Sequence, residues 1–219
     1  MASSKIILPA LAAVFVAACG QAANGQNEAS SDLRNDAVQQ EFAAPSGTYQ
    51  AEETHRYITF SYSHLGYSNP WLRWRNWDAT LDWNAENPSE SSVSVVINAA
   101  SIDSGVDVFD GHLNGEKFFD TANHPEITFV STSVQQTGET TGTIEGDLTI
   151  KGTTKPVTLY ATFNKADIDQ RKNVYRIGFA GKATVKRSDF GVDLLAPAVS
   201  DEVDVVIEAE FIKPIDADE

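Results

Sequence analysis

A single cysteine, a single methionine and only 16 Lys and Arg against 31 Asp and Glu set the first limits on this chain of 219 residues. One cysteine cannot close an intramolecular disulfide, so a fold placed in an oxidising compartment must rest on its own core. Paired cysteines for a zinc set are absent. The four histidines, His55, His64, His112 and His124, show no His-x-x-x-His or His-Glu spacing, so neither a metal ion nor another cofactor is expected. The formal net charge of −15 repels nucleic-acid phosphate, and no cluster of basic residues overrides it, so nucleic acid is not an expected partner. Acidity of this kind keeps an exported domain soluble. Also missing are a Gly-x-Ser-x-Gly elbow, a Ser-x-x-Lys pair and a cysteine nucleophile, and no catalytic residue is assigned. Asp103, Asp107 and Asp110 stand close together, yet no Gly or Glu falls where a calcium loop needs one. They read as turn and helix-cap residues. No apolar run approaches the ~20 residues of a membrane-spanning helix.

What is present begins at the N-terminus. Residues 1–5 supply a short basic region ending in Lys5, residues 6–15 an apolar stretch, and Val16-Ala17-Ala18-Cys19 places small residues before the cysteine. That order is expected of a secretion signal over residues 1–18. Val-Ala-Ala-Cys resembles the lipobox of bacterial lipoproteins, which implies acylation of Cys19 and a mature chain anchored to a membrane through it. Cleavage after Ala23 without lipidation is the alternative. Residues 19–45, rich in Gln, Asn, Ser and Ala, show no sustained apolar period and read as a flexible tether.

Beyond Ser46 the period becomes two. In Arg56-Tyr57-Ile58-Thr59-Phe60-Ser61-Tyr62 the apolar Ile58, Phe60 and Tyr62 share one face of a strand. The same reading predicts strands at 71–83, 91–100, 126–134, 142–151, 156–163, 174–185 and 203–212. Turn signals separate them: Asn87-Pro88-Ser89, Gln136-Thr137-Gly138, Lys151-Gly152-Thr153 and Asp167-Ile168-Asp169. Eight alternating strands with short separators suit an antiparallel barrel with room for side chains or one small ligand; a two-sheet sandwich gives a similar pattern. The exception lies at 106–123, where alternation fails and one or two helical turns are expected, a lid or plug. The fold class is therefore all-β, with a domain over 46–215, a helical insert around 108–120 and an acidic tail at 216–219.

Ordered blocks of sequence carry a family resemblance. Residues 58–68, Ala100-Ser101-Ile102-Asp103-Ser104-Gly105, Asp110-Gly111-His112-Leu113 and Phe118-Phe119-Asp120 resemble the first strand and the central signature of the YceI-like family. His124-Pro125-Glu126-Ile127-Thr128-Phe129, the stretch 146–157 and Arg187-Ser188-Asp189-Phe190-Gly191 match later blocks, so the resemblance covers about 47–212. Trp71-Leu72-Arg73-Trp74-Arg75-Asn76-Trp77 departs from the pattern in being unusually aromatic and basic. The resemblance implies an extended, eight-stranded, lipocalin-like barrel that holds a long isoprenoid or related lipid in its lumen, commonly as a homodimer in the periplasm. Gly20 after the anchor, by resemblance to enteric lipoproteins, points to the outer membrane of a Gram-negative cell. Under this reading the ligand-lining residues are Ile58, Phe60, Tyr62, Trp77, Leu81, Val95, Ile97, Phe129, Leu148 and Phe179, with Phe118 and Phe119 from the insert. His64, Asp110 and His112 are expected to meet a polar head group. Two other readings remain: an enzyme using His64, His112 and Asp110 as acid-base groups on such a lipid, and a scaffold that docks on a membrane partner through its tether and residues 71–77.

Overall fold

Alternation of inward apolar and outward polar side chains persists through nearly every strand, which is what closing a sheet around an apolar interior demands. The computed structural model describes residues 44–215. The expected signal segment, Cys19, all but the last two tether residues and the tail at 216–219 lie outside the described residues. The elements are β1 (Gly47–Ser61), β2 (Trp71–Trp74), β3 (Trp77–Trp83), β4 (Ser92–Asn98), β5 (Ile102–Asp103), α1 (Asp107–Asn114), β6 (Glu126–Gln136), β7 (Thr141–Ile150), β8 (Thr153–Asp169), β9 (Val174–Lys186) and β10 (Glu202–Pro214).

All neighbouring strands run antiparallel, and β1 closes the sheet on β10 with Ile58 opposite Ile207 and Phe60 opposite Val205. The ten segments make eight barrel strands, because β2 and β3 both pair with β1 while β5 and β4 continue the next strand. The two interruptions face each other. Arg75 N–H donates to Ser101 O at 3.0 Å, Asn98 N–H to Asn76 O at 3.0 Å, and Asn76 N–H to Ser101 Oγ at 3.0 Å, so the kinked backbone keeps its hydrogen bonds. The expected eight-stranded, lipocalin-like barrel is therefore present, with α1 inserted between β5 and β6.

The single strand expected at 71–83 is broken into β2 and β3, and two boundaries differ from the sequence reading by more than three residues. β1 begins at Gly47, nine residues before the alternating Arg56-to-Tyr62 run, because a bulge between Ala51 and Arg56 interrupts its period. Asp167-Ile168-Asp169 belongs to β8 and not to a turn. Asp167 pairs with Arg176 and Asp169 with Val174, and Arg176 bridges to Asp169 at 2.8 Å. Lys151-Gly152 does make the β7–β8 turn: both residues have positive φ, 50° and 73°, and the His124 ring lies so close that a Cβ on Gly152 would sit 3.0 Å from it.

The interior is filled unevenly from end to end. At the end holding the β3–β4, β6–β7 and β8–β9 turns, Trp83, Phe163, Phe179 and Phe211 pack with ring centroids 5.7–6.4 Å apart, beside Tyr49 and Ile177, which have no exposed surface. At the other end, where loops 62–70, 104–125 and 187–201 gather, β8, β9 and β10 present smaller aliphatic residues, and the interior stays open.

The β1 bulge turns Glu52 into the wall, where only 5% of it is exposed. Burial pushes its carboxyl upward, but Lys172 Nζ at 2.9 Å, Thr54 N–H and hydroxyl, and His55 Nδ1 at 2.9 Å outweigh that and hold it far below the ordinary glutamate value. A depressed folded-state pKa stabilises fully above the unfolded value of about 4.3 and is lost as pH falls below it. Glu52→Gln is expected to cost about 1–2 kcal/mol at neutral pH, and the gap should narrow on going to about pH 3. Urea midpoints of both proteins at the two pH values measure it; a gap that stays constant would refute the assignment. Packing gives a second expectation. A Cβ on Gly146 would lie 2.3 Å from Phe129 Cζ and 2.7 Å from Val130 O, so Gly146→Ala should destabilise by about 1–3 kcal/mol, read as a lowered midpoint of thermal unfolding.

Candidate functional site

The loop end of the barrel encloses a cavity of about 540 Å³, within the ~300–1,000 Å³ usual for small-molecule sites. Strand alternation supplies its wall. Ile58 and Phe60 of β1, Val95 and Ile97 of β4, Phe129 of β6 and Leu148 of β7 all line it. Tyr62 and His64 continue the line from β1 into the following loop.

Two irregular segments close the end. In α1, Phe109 and Leu113 are one turn apart and both face the cavity, while Val108 is 72% exposed. Phe118 and Phe119 follow, and the Phe119 ring meets the Trp74 indole edge-on at 5.7 Å, with Trp74 stacked on Phe60 at 4.6 Å. The second segment, residues 187–201, contributes Phe190, Val192, Leu194, Leu195 and Val199. Arg187 holds it in shape. Its Nε–H donates to Ser200 O at 2.9 Å, Nη1 to Val192 O at 2.6 Å and Leu194 O at 3.0 Å, and Nη2 to Val199 O at 2.8 Å. This cation folds a loop around itself.

Five of the sequence-assigned residues lie elsewhere. Trp77 is 3% exposed under the Arg56 guanidinium, 5.5 Å from its ring centroid, and forms part of the filled interior. Leu81 and Phe179 belong to the aromatic end. Asp110 is occupied structurally, its Oδ1 accepting from Ser104 N–H at 2.8 Å and Ser104 Oγ at 2.5 Å, which pins the start of the insert. His112 is exposed on α1, outside the cavity lining. The three proposed acid-base groups are therefore not gathered in one place: only His64 lines the cavity.

Sequence reasoning missed Leu72 and Trp74, although both sit at alternate positions of β2, and Val203, Val205 and Ile207, whose alternation in β10 is equally clear. It also missed the apolar residues of 187–201, which follow no period. Among the described residues, no group of three or more His, Cys, Asp or Glu is arranged to hold a metal ion. A second groove of about 440 Å³ lies against β8, β9 and β10 and is lined by charged residues that pair with one another, Arg176 with both Asp169 and Glu210.

The YceI-like domain profile matches residues 49–211 of the chain. A UPF0312 protein of Pseudomonas fluorescens is 40% identical over 162 residues, covering 74% of this chain and 83% of that protein. One from Pseudomonas syringae pv. tomato is 38% identical with the same coverage. Among solved structures, BcnA of Burkholderia cenocepacia superposes with a TM-score of 0.67 at 22% identity, over 73% of this chain and 98% of that one. The YCEI protein of Campylobacter jejuni gives 0.63 at 27% identity, over 70% and 90%. A polyisoprenoid binding domain from Saccharophagus degradans gives 0.58 at 16% identity, over 76% and 98%. With the profile covering most of the barrel and close relatives well above 30% identity, the chain belongs to the YceI-like family.

Proposed function

We propose that this protein binds one long apolar ligand, a polyisoprenoid, an isoprenoid quinone or a similar lipid, in the open end of its barrel and carries or stores it in the cell envelope. The observation that carries the reading is a cavity of about 540 Å³ with an overwhelmingly hydrocarbon and aromatic wall. Each methylene moved from water into such a wall contributes about 0.8 kcal/mol, so retention needs no covalent chemistry. The polyisoprenoid-binding neighbour shares the fold. Catalysis is not part of the proposal, since Asp110 is taken by Ser104 and His112 lies away from the wall.

Location forms the second half of the proposal: export to the periplasm and attachment to the outer membrane through lipidated Cys19. The chain enters β1 at the aromatic-packed end, opposite the cavity loops.

Gently purified protein, extracted with organic solvent and analysed by mass spectrometry, should release a chain lipid. Ala183→Phe, which places a ring in the cavity wall where Ala183 is 6% exposed, should lower uptake of added polyprenol at least ~10-fold while the far-ultraviolet circular dichroism of the barrel is retained. An empty extract together with no uptake by the wild-type protein would overturn the reading. For the anchor, the wild-type chain should partition into the detergent phase of a Triton X-114 extract of cells and Cys19→Ser should move to the aqueous phase; identical partitioning of the two would exclude lipidation at Cys19.

A further inference from the structure

The cavity wall is not wholly apolar at its loop end. Tyr62 lines it, half-buried, and its hydroxyl has no hydrogen-bond partner among the described residues. Arg187 lines it too. Four neutral backbone carbonyls hold the guanidinium, and no carboxylate lies within ion-pair distance among the described residues, so its charge is solvated without being cancelled. Asp201 feels that charge, but its oxygens are bound by Ser188 N–H at 2.9 Å and Ser188 Oγ at 2.7 Å, and it does not line the cavity.

The two segments are tied together. Ser63 N–H donates to Ser200 Oγ at 2.9 Å, Ser200 N–H to Ser63 O at 2.9 Å, and His64 bridges to Val199. Tyr62 and Arg187 therefore belong to one stitched corner of the wall. Burial pushes the Tyr62 phenol upward and the Arg187 charge only partly opposes it, so the hydroxyl keeps its proton as a donor through the neutral range. A free donor in a hydrocarbon wall costs desolvation unless a ligand supplies the acceptor.

We propose that Tyr62 and Arg187 form a polar station at the loop end of the cavity that takes an electronegative oxygen of the ligand, carbonyl, carboxylate or phosphate, while the chain of the ligand occupies the hydrocarbon wall beyond. This rests on the lipid-binding reading and adds a head-group chemistry to it. A bare hydrocarbon leaves both groups unanswered; a chain ending in an oxygen acceptor satisfies the hydroxyl, and an anionic end also meets the uncancelled cation.

The test uses three probes of one chain length delivered from cyclodextrin: hexadecane, methyl hexadecanoate and hexadecanoate, with affinity read from the change in tryptophan fluorescence, since Trp74 lies in the wall. The expected order is hexadecanoate tightest, the ester next and hexadecane weakest, the ester exceeding hexadecane by ~10-fold. Tyr62→Phe keeps the ring and removes the hydroxyl. It should abolish the gap between ester and hexadecane, the ester losing its donor while hexadecane, no longer facing an unanswered hydroxyl, binds at least as tightly as before, and leave hexadecanoate part of its advantage through Arg187. Equal binding of all three probes, or an order that Tyr62→Phe does not alter, overturns the polar station while leaving the lipid-binding reading in place. Failure of every probe, hexadecane included, counts instead against the cavity as a lipid site.

Discussion

Everything else in this molecule depends on the pairing of β1 with β10. An open antiparallel sheet exposes two edges and one apolar face, whereas joining its first and last strands removes both edges and turns that face into an enclosed volume. The closure is long. It runs from Gln50 opposite Ile212 to Ser61 opposite Asp204, broken once by the bulge at residues 52–55. Once closed, the barrel has an interior whose contents are decided only by the side chains that alternate into it. That interior must be packed with protein, filled by a ligand, or left as void at a cost in lost contacts.

Side-chain size along each strand makes that decision. β10 presents Val203, Val205 and Ile207 at the loop end, then Ala209 and Phe211 toward the other. β9 reads Val185 and Ala183, then Phe179 and Ile177; β8 reads Val157 and Leu159, then Phe163. Three neighbouring strands thus change from small to large in the same direction. Their rings meet Trp83 of β3 and leave only about 90 Å³ at that end, while the valines and the alanine leave a far larger space at the other. The cavity is the complement of the aromatic cluster, and stability and binding capacity are divided between the two ends of one barrel.

This division explains what could be read from the sequence and what could not. Alternation reports which face of a strand a residue occupies, and the eight strands and the inward set followed from it. It carries no information on height along the barrel. Phe179 and Leu81 have the same period as Phe60 and Val95, yet belong to the filled end, because height is fixed by register between strands far apart in sequence. Trp77 illustrates the boundary: it pairs with Ile97, which lines the cavity, but lies beneath Arg56 in the packed interior. The closing segment at 187–201 was illegible for a different reason. Its shape comes from one cation gathering four carbonyls, and no sequence period encodes that. Arg187 stands in the sequence as part of a signature block, but its partners are backbone atoms up to thirteen residues away.

The aromatic and basic stretch at 71–77, the point of departure from the family pattern, resolves into strand grammar with one break. Leu72 and Trp74 point inward and are 2% and 8% exposed, while Trp71 is 57% exposed on the outer face. Arg73 reaches Asp103 at 3.0 Å and Arg75 reaches it at 3.7 Å, so the basic residues tie β2 to the strand beside it and are not a free cationic patch. The kink at Arg75 and Asn76 then restarts the alternation with Trp77. Its effect on the cavity comes through Leu72 and Trp74, and Trp74 is stacked between Phe60 of the closing strand and Phe119 of the insert. One side chain of the divergent stretch thereby joins barrel wall to lid. With Leu72 it is also where a change in this segment would reach the ligand volume, since Trp71, Arg73 and Arg75 face away from it.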